Sequence, residues 1–242
     1  MERPSGPLGD GLAGCGAGPA PGAYNIGVFL LFLKYIPLSV TALLPVVNPV
    51  GSALLYLSLT ASAEPRLRRQ MALKIALNGT IFLAVVEFTG AEVLRFFGLS
   101  LPVVQIAGGI VVATIGWTLL NQPAPSPGES APLPPELLRQ RQFYPLTFPL
   151  TIGPGCIVVM LTLSAHASRA RLSAAIAAHL GLLAGVLLLG ASVYLAYAHA
   201  DALLRRISPQ FAHGIMRIID FLLVCIGVQI VWNGVHALMR AH

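Results

Sequence analysis

Long apolar runs are the feature that most constrains the fold of this 242-residue chain. A helix needs about 20 apolar residues to cross the hydrocarbon core of a bilayer, and stretches of that length recur from residue 35 to residue 239. Charged residues make up only 10% of the sequence, whereas soluble domains carry about 25%. The chain therefore lacks the charge to cover a water-facing surface, and we predict an all-α membrane protein with room for about six spanning helices.

The apolar runs fall into two groups of three predicted spans. The first run begins at residue 24 and continues to about residue 61, and it is followed by spans at 71–94, 99–120, 145–165, 172–198 and 218–239. A Pro-rich stretch with charged residues at 121–143 separates the groups, which is typical of a solvent-exposed linker. The predicted organisation is therefore one three-helix unit at 24–120 and a second at 144–242.

The N-terminal residues 1–23 are rich in Gly, Pro, Ala and Ser and contain no apolar core. Such a segment does not offset the entropy lost on ordering, so a disordered tail is predicted. It also lacks the apolar stretch of about 7–15 residues that a signal peptide needs. The first apolar run is therefore expected to be retained as a helix.

The first apolar run is too long for one simple span, since a helix rises about 1.5 Å per residue. Two features divide it. Lys34 would extend its ammonium to an interface, and in Asn48-Pro49-Val50-Gly51 the proline removes a helical donor while the glycine loosens the backbone. If Lys34 marks the interface, the span covers about residues 35–59 and the break lies near the bilayer midplane. If the helix starts at Ile26, the same break lies at its far end.

The two units can be aligned without gaps by adding one constant number to each residue number of the first unit. This constant shift places Pro45 opposite Pro149 and Gly51 opposite Gly155, and it also aligns hydroxyl residues near position 60 with hydroxyl residues near position 164. Because each unit holds an odd number of spans, the second copy crosses the membrane in the opposite sense. We predict six transmembrane helices as two inverted three-helix repeats with broken first helices, an arrangement common in secondary transporters.

The chain carries 15 Lys and Arg against 9 Asp and Glu, a net charge of +6. In a membrane protein such an excess is expected of cytoplasmic loops, so no nucleic-acid partner is predicted. Arg66, Arg68 and Arg69 cluster in the first connection, and Arg205 and Arg206 lie in the fifth. The positive-inside rule then places the odd-numbered connections in the cytoplasm and both termini outside.

Five motifs occur in order between residues 34 and 237 and carry a resemblance to a known family. They are Asn48-Pro49-Val50-Gly51 with Leu57-Ser58-Leu59-Thr60; Phe97-Gly98-Leu99-Ser100; Ile106-Ala107-Gly108-Gly109; Pro149-Leu150 with Gly153-Pro154-Gly155; and Arg217-Ile218-Ile219 with Val228-Gln229 and Asn233-Gly234. On these motifs the chain resembles the MarC family, whose members have been described as small neutral amino-acid transporters and grouped with LysE-type exporters. The resemblance implies six spans in a bacterial plasma membrane and translocation of a small solute. It supplies no binding residues, and Asp220, Gln105 and Glu87 depart from the family's pattern.

The two helix breaks, at 48–51 and 153–155, are the strongest local signal for a functional site. In hydrocarbon, irregular backbone survives only when it is buried in protein or lines a wet cavity. Freed N–H groups would take a carboxylate and freed carbonyls an ammonium or another cation, which suits a zwitterion. The alternative is a packing kink satisfied by hydroxyls such as Ser52. The predicted substrate-pathway residues are Asn48, Pro49, Gly51, Thr151, Gly153, Pro154 and Gly155.

Three titratable residues are predicted to lie in the spans. Glu87 is a candidate coupling carboxylate for protons or Na⁺, because an ionised carboxylate at a helix centre costs about 2.5–3.5 kcal/mol. The alternative places it close to the outer interface, hydrated beside Glu92. Asp220 follows Arg217 by three residues, and the simpler interpretation is an ion pair at the interface. His179 is a second coupling candidate, although such a histidine more often hydrogen-bonds a neighbouring helix.

Small residues on one helix face let two helix backbones approach closely. Such contacts matter in a bilayer, because the hydrophobic effect does not drive helices together there. Such faces carry Gly109 with Gly116, Gly181 with Gly185, and Gly227 with Gly234. They pack helices either within one chain or between the chains of a homo-oligomer, and the sequence leaves both open.

The sequence contains no enzyme signature, and neither catalysis, a metal nor a cofactor is expected. Its three cysteines, Cys15, Cys156 and Cys225, stand at unrelated positions without a C-x-x-C pair. Two function classes remain. One is a secondary transporter or exporter of small neutral solutes such as amino acids, and the other is a non-transporting membrane scaffold or assembly protein. A polar, solvent-reachable cavity at the breaks distinguishes the first class from the second.

Overall fold

The computed structural model describes residues 21–60, 63–121, 137, 140, 142–168, 171–202 and 209–240, which form helices joined by turns, with no strand among them. The helices are α1 (Pro21–Val47), α2 (Pro49–Leu59), α3 (Pro65–Phe96), α4 (Leu101–Asn121), α5 (Gln142–Thr151), α6 (Pro154–Ala167), α7 (Leu172–Ala198) and α8 (Pro209–Met239). The predicted tail, up to residue 20, and most of the predicted linker at 121–143 lie outside the described residues.

Five helical segments among the described residues are long and apolar enough to cross a membrane. They are Ile26–Leu57, which joins α1 and α2, Pro65–Phe96, Leu101–Asn121, Leu172–Ala198 and Met216–Met239. A sixth span results if α5 and α6, which are bent by 66° at their junction, are counted as one. The protein is therefore a multi-pass membrane protein, and its described part is all-helical with five or six spans.

The spans overlap the predicted runs, and the largest differences lie at helix starts: α3 begins at Pro65, before the predicted residue 71. α7 has the predicted bounds, whereas α8 begins at Pro209, well before the predicted residue 218. The first turns of α8 contain His213 and Arg217, so they carry little apolar signal. α1 continues through the exposed Lys34 without interruption, and the first predicted run is divided at Asn48 instead.

One face of α3 shows how the fold meets the lipid. Large apolar side chains recur every three or four residues along this face, and each is more than half exposed: Leu73, Leu77, Ile81, Val85 and Phe88. The opposite face is buried against α6 and α7. A continuous apolar stripe of this kind is unfavourable in water, and it is expected on a helix whose outer surface faces hydrocarbon.

Glycines bring two pairs of helices into backbone contact within the chain. On the α4–α8 interface, a Cβ added to Gly116 would lie 2.7 Å from the backbone nitrogen of Val224, and one added to Gly109 would lie 2.7 Å from the carbonyl oxygen of Gly227. On the α1–α7 interface, a Cβ on Gly181 would lie 2.5 Å from the carbonyl oxygen of Phe32. The small faces singled out in the sequence therefore serve intramolecular packing.

Candidate functional site

The first helix break is a single left-handed residue, Asn48, between α1 and α2. Its φ of 45° and ψ of 66° lie in a region that asparagine adopts more readily than most residues. Oδ1 of Asn48 accepts a hydrogen bond from the N–H of Gly51 at 3.0 Å, which caps α2. A Cβ on Gly51 would collide with the Asn48 side chain. The glycine therefore makes room for the cap.

Replacing Asn48 separates its two roles. We expect Asn48→Ala to lower the free energy of unfolding by about 2 kcal/mol, because alanine pays about 1–2 kcal/mol in the left-handed region and loses a cap that contributes about 0.5–2 kcal/mol. Asn48→Gly loses the same cap but adopts positive φ freely, so it should cost much less. Denaturation of the purified protein in detergent measures both variants. Equal losses in the two would show that the left-handed conformation is not the dominant cost.

The second break is longer and lies in and after α5. Tyr144 (φ −118°, ψ 125°) and Phe148 (φ −121°, ψ 127°) have extended backbone inside this segment. Two side chains bond carbonyls that the irregular backbone exposes: Oγ1 of Thr147 donates to Gln142 and Oγ1 of Thr151 donates to Leu146, both at 2.7 Å. The break is thus stabilised locally by threonine hydroxyls.

A proline directly follows the residue that leaves the helical conformation at each break. Pro49 and Pro154 occupy the first positions of α2 and α6, where a backbone N–H has no partner within the helix in any case. Asn48 and Gly153, which precede these prolines, have left-handed and extended backbone, and proline disfavours the helical conformation in the residue before it. Gly153, which precedes α6 with φ −89° and ψ 175°, provides no side-chain cap.

Both breaks line one cavity of about 480 Å³, within the range of about 300–1,000 Å³ typical of small-molecule sites. Its wall includes six of the predicted pathway residues: Asn48, Gly51, Thr151, Gly153, Pro154 and Gly155. Pro49 is not among the lining residues. α4 and α8 complete the wall mainly with apolar side chains such as Val112, Ile115 and Leu223.

Tyr197 of α7 joins the two breaks behind the cavity wall. Its hydroxyl lies 2.8 Å from Oγ1 of Thr151 at the second break, and the Ser52 side chain at the first break interacts with it electrostatically. The ring of Tyr197 stacks on that of Tyr56, with centroids 4.5 Å apart, and the hydroxyl of Tyr56 donates to the carbonyl of Arg68 at 2.6 Å. Sequence reasoning missed Tyr197; the available signal was a polar aromatic residue at the end of an apolar helix.

Two charged residues of α8, Arg217 and Asp220, line the same cavity. Asp220 is only 7% exposed and interacts electrostatically with Arg217, one turn earlier. The Arg217 guanidinium also donates to the carbonyl oxygen of Leu119 at 3.3 Å. Their spacing indicated an interfacial ion pair, but it did not indicate that this face of α8 meets both breaks. The structure therefore adds a positive and a negative group to the predicted site.

Glu87 lies outside the cavity wall. Its side chain is 0% exposed, and Oε1 lies 3.1 Å from Nδ1 of His179 on α7. This burial contradicts the alternative of a hydrated carboxylate beside Glu92, which is itself exposed and pairs with Arg95 at 3.1 Å. His179 has the helix-bridging hydrogen bond that the sequence favoured for it.

Gln105, Cys156 and Cys225, which the sequence also singled out, are not among the residues that line the cavity. Buried Gln105 donates to Oγ1 of Thr162 at 3.2 Å, which links α4 to α6. Cys156 is buried and Cys225 exposed, and both are free thiols. Within the described part of the chain, no three His, Cys, Asp or Glu side chains are grouped so as to hold a metal ion.

Comparison with known proteins identifies the family. The family model described as "MarC family integral membrane protein" matches residues 33–239. The chain is 30% identical over 218 residues to the UPF0056 inner membrane protein MarC of Escherichia coli K12, covering 86% of this chain and 97% of the relative. Proteins of the same name from Shigella flexneri and Citrobacter koseri match to the same extent. No solved structure matches the chain significantly. With a match across nearly all of its helical part, the chain belongs to the MarC family of integral membrane proteins.

Proposed function

We propose that this protein is a secondary transporter or exporter of small neutral solutes, with amino acids as the substrate class. The observation that carries the proposal is the cavity of about 480 Å³ into which both helix breaks open. Irregular backbone inside a membrane protein is tolerated where it lines such a cavity, and transporters use broken helices for their binding sites. A scaffold has no need of a solute-sized cavity with charged groups in its wall.

The charges in the cavity wall favour a zwitterion. Asp220 is an acceptor for an ammonium group, while Arg217 and the N-terminus of α6, which no side chain caps, favour a carboxylate. All three lie on the wall of one cavity. An amino acid has both charges and no net charge, so it complements this wall better than an amine or an acid alone.

Alternating access is the mechanism we infer, with the two units at 24–120 and 144–242 moving against each other as inverted repeats. Two observations support it: the breaks of the two units contribute to one cavity, and the constant sequence shift places α3 opposite α7. The same proposal places the protein in the LysE-like group of exporters. Coupling to protons or Na⁺ and assembly as a homo-oligomer are part of the same proposal.

Flux through the purified full-length protein in liposomes tests the function. We expect uptake of labelled L-alanine above that of empty liposomes, inhibited by other small neutral amino acids and much less by propionate or propylamine, each of which lacks one of the two charges. If none of a panel of small neutral amino acids is transported by the folded protein, the transporter proposal fails and the scaffold class is preferred.

Asp220→Asn tests the charge complementarity of the cavity. We expect alanine flux to fall about tenfold or more, because a hydrogen bond to a charged group contributes about 1.5–3 kcal/mol and asparagine keeps the size but not the charge. Asp201→Asn is the matched control, since Asp201 is half exposed and pairs with Arg68 outside the cavity. Equal flux in wild type and Asp220→Asn would remove Asp220 from the binding site.

The proposed location is a bacterial inner membrane, as in the names of the relatives, with both termini outside. In a background without Cys15, Cys156 and Cys225, an impermeant thiol reagent added to intact cells should label a cysteine at residue 242 and spare one at the exposed Arg66 position. Permeabilised cells, in which both sites should react, provide the control. Labelling of residue 66 in intact cells would reverse the orientation.

A further inference from the structure

A second polar cluster lies away from the cavity, where α3, α6 and α7 meet. Nδ1 of His179 lies 3.1 Å from Oε1 of Glu87, and Nε2 of the same ring lies 3.1 Å from Oγ of Ser168. The side chain of Glu87 is 0% exposed and that of His179 is 21% exposed. Ser168, at the end of α6, is exposed. The three side chains therefore form a continuous chain from the protein interior to its surface.

One oxygen of the Glu87 carboxyl group is incompletely satisfied. Oε2 is buried and has no hydrogen-bond partner among the described residues. The nearby hydroxyl of Ser164 donates to the backbone oxygen of Glu87, at 2.8 Å, and not to its carboxyl group. Burying an ionised carboxylate under these conditions is costly. A bound proton lowers the cost, because it makes the Glu87–His179 pair neutral overall.

The hydrogen bonds of Ser168 indicate where the protons of this cluster lie. The Ser168 hydroxyl donates to the carbonyl oxygen of Ser164 at 3.0 Å, so its oxygen is left to accept from Nε2–H of His179. Nδ1 of His179 then either accepts the proton of a neutral Glu87 or, as N–H, donates to its carboxylate. Both forms contain one shared proton and have no net charge.

The other charged side chains on the surrounding helices do not balance this pair. Glu92 and Arg95 of α3, His166 of α6 and Lys34 of α1 are all exposed, and Nδ1 of His166 lies 2.7 Å from the carbonyl oxygen of Thr162. Within the described residues, Glu87 forms its one salt bridge with His179. The net charge of the cluster therefore depends on a single proton.

We propose that Glu87, His179 and Ser168 form a proton-binding site in which the Glu87–His179 pair holds one exchangeable proton and Ser168 connects it to water at the end of α6. In release, Glu87 passes its proton to Nδ1, the Nε2 proton passes to the oxygen of Ser168, and the hydroxyl proton of Ser168 passes to water. The products are a Glu87 carboxylate, a neutral His179 protonated on Nδ1, and an unchanged serine. The site is separate from the solute cavity and does not depend on solute transport.

Infrared titration of the purified full-length protein in lipid nanodiscs tests the site without any solute. We expect a protonated-carboxyl C=O band that changes with pH, is missing in Glu87→Gln and persists in Glu92→Gln, the matched exposed control. His179→Asn keeps a donor toward Glu87 but accepts no proton, so the midpoint of the band should shift by about one pH unit or more. Ser168→Ala should slow hydrogen–deuterium exchange of this carboxyl group, whereas Ser192→Ala, elsewhere on α7, should not.

Three results would overturn the proposal. They are a Glu87 band that does not respond to pH while the protein stays folded, a midpoint unchanged by His179→Asn, and equally fast exchange in Ser168→Ala and wild type. If His179→Asn fails to fold, the reverse measurement decides: the titration of His179, followed by ¹⁵N NMR, should shift by about one unit between wild type and Glu87→Gln. The other five of the chain's six histidines provide internal references.

Discussion

Gly153→Leu is expected to reduce alanine flux to the level of empty liposomes while the protein still folds. Gly153 lines the cavity, its backbone conformation (φ −89°, ψ 175°) is open to any residue, and the nearest atom to an added Cβ, the carbonyl oxygen of Pro149, would be 3.6 Å away. A leucine there is accommodated without backbone strain and fills the space between the breaks. Gly155→Leu is a poorer test, because its Cβ would already lie 2.6 Å from Cγ2 of Val112.

Gly27→Leu is the matched control for this experiment, since a Cβ on Gly27 meets no atom within 4 Å. It should transport like wild type. Folding of both variants is checked by their thermal unfolding midpoints in detergent, which should differ little from that of the wild type. Wild-type flux through a folded Gly153→Leu protein would show that solute does not pass between the breaks.

Gly227→Ala is expected to have the largest effect on stability. An added Cβ would collide with the backbone nitrogen of Ala113 and lie 2.7 Å from the carbonyl oxygen of Gly109. Both are backbone atoms and cannot rotate away as a side chain can, so α4 and α8 have to move apart at this contact. Overpacking costs typically about 1–3 kcal/mol and more when the neighbours do not yield, and we expect a loss of about 3 kcal/mol or more.

Gly214→Ala, in the same helix, is expected not to lower the free energy of unfolding. A Cβ on Gly214 meets no atom of the described residues within 4 Å, and alanine in a helix is favoured over glycine by up to about 1 kcal/mol. This variant should be as stable as the wild type or more stable in the same denaturation assay. If Gly227→Ala and Gly214→Ala have the same free energy of unfolding, α4 and α8 do not approach each other as closely as described.

The helices were predictable from the sequence because lipid imposes one dominant pattern, an apolar run of sufficient length. α7 ends where the run ends, and its predicted bounds agree with the structure. The first break was predicted at the right place, and the residue that leaves the helical conformation there is Asn48. Pro49 is visible in the sequence as a helix breaker, whereas the left-handed conformation of Asn48 depends on local capping by its own side chain.

The charged part of the candidate site was not predictable in the same way. Spacing along one helix shows which residues share a face, and it correctly placed Arg217 next to Asp220. It does not show which distant helix that face meets. Glu87 and His179 are 92 positions apart, and their contact depends on how closely α3 and α7 approach. Such pairings arise from the packing of whole helices, which no local pattern encodes.

The hydroxyl of Tyr197 holds α7 against α5 in the described conformation through its hydrogen bond to Thr151. Any motion that draws α5 away from α7 must break the hydrogen bond between Thr151 and the Tyr197 hydroxyl. Losing one such bond costs only about 0.5–1.5 kcal/mol. A conformation in which this hydrogen bond is broken then lies within the few kcal/mol that leave a minor conformer populated at roughly 0.1–10%. In the proposed transport cycle, a bond this weak would let solute binding, and not the bond itself, decide which side of the membrane the cavity faces.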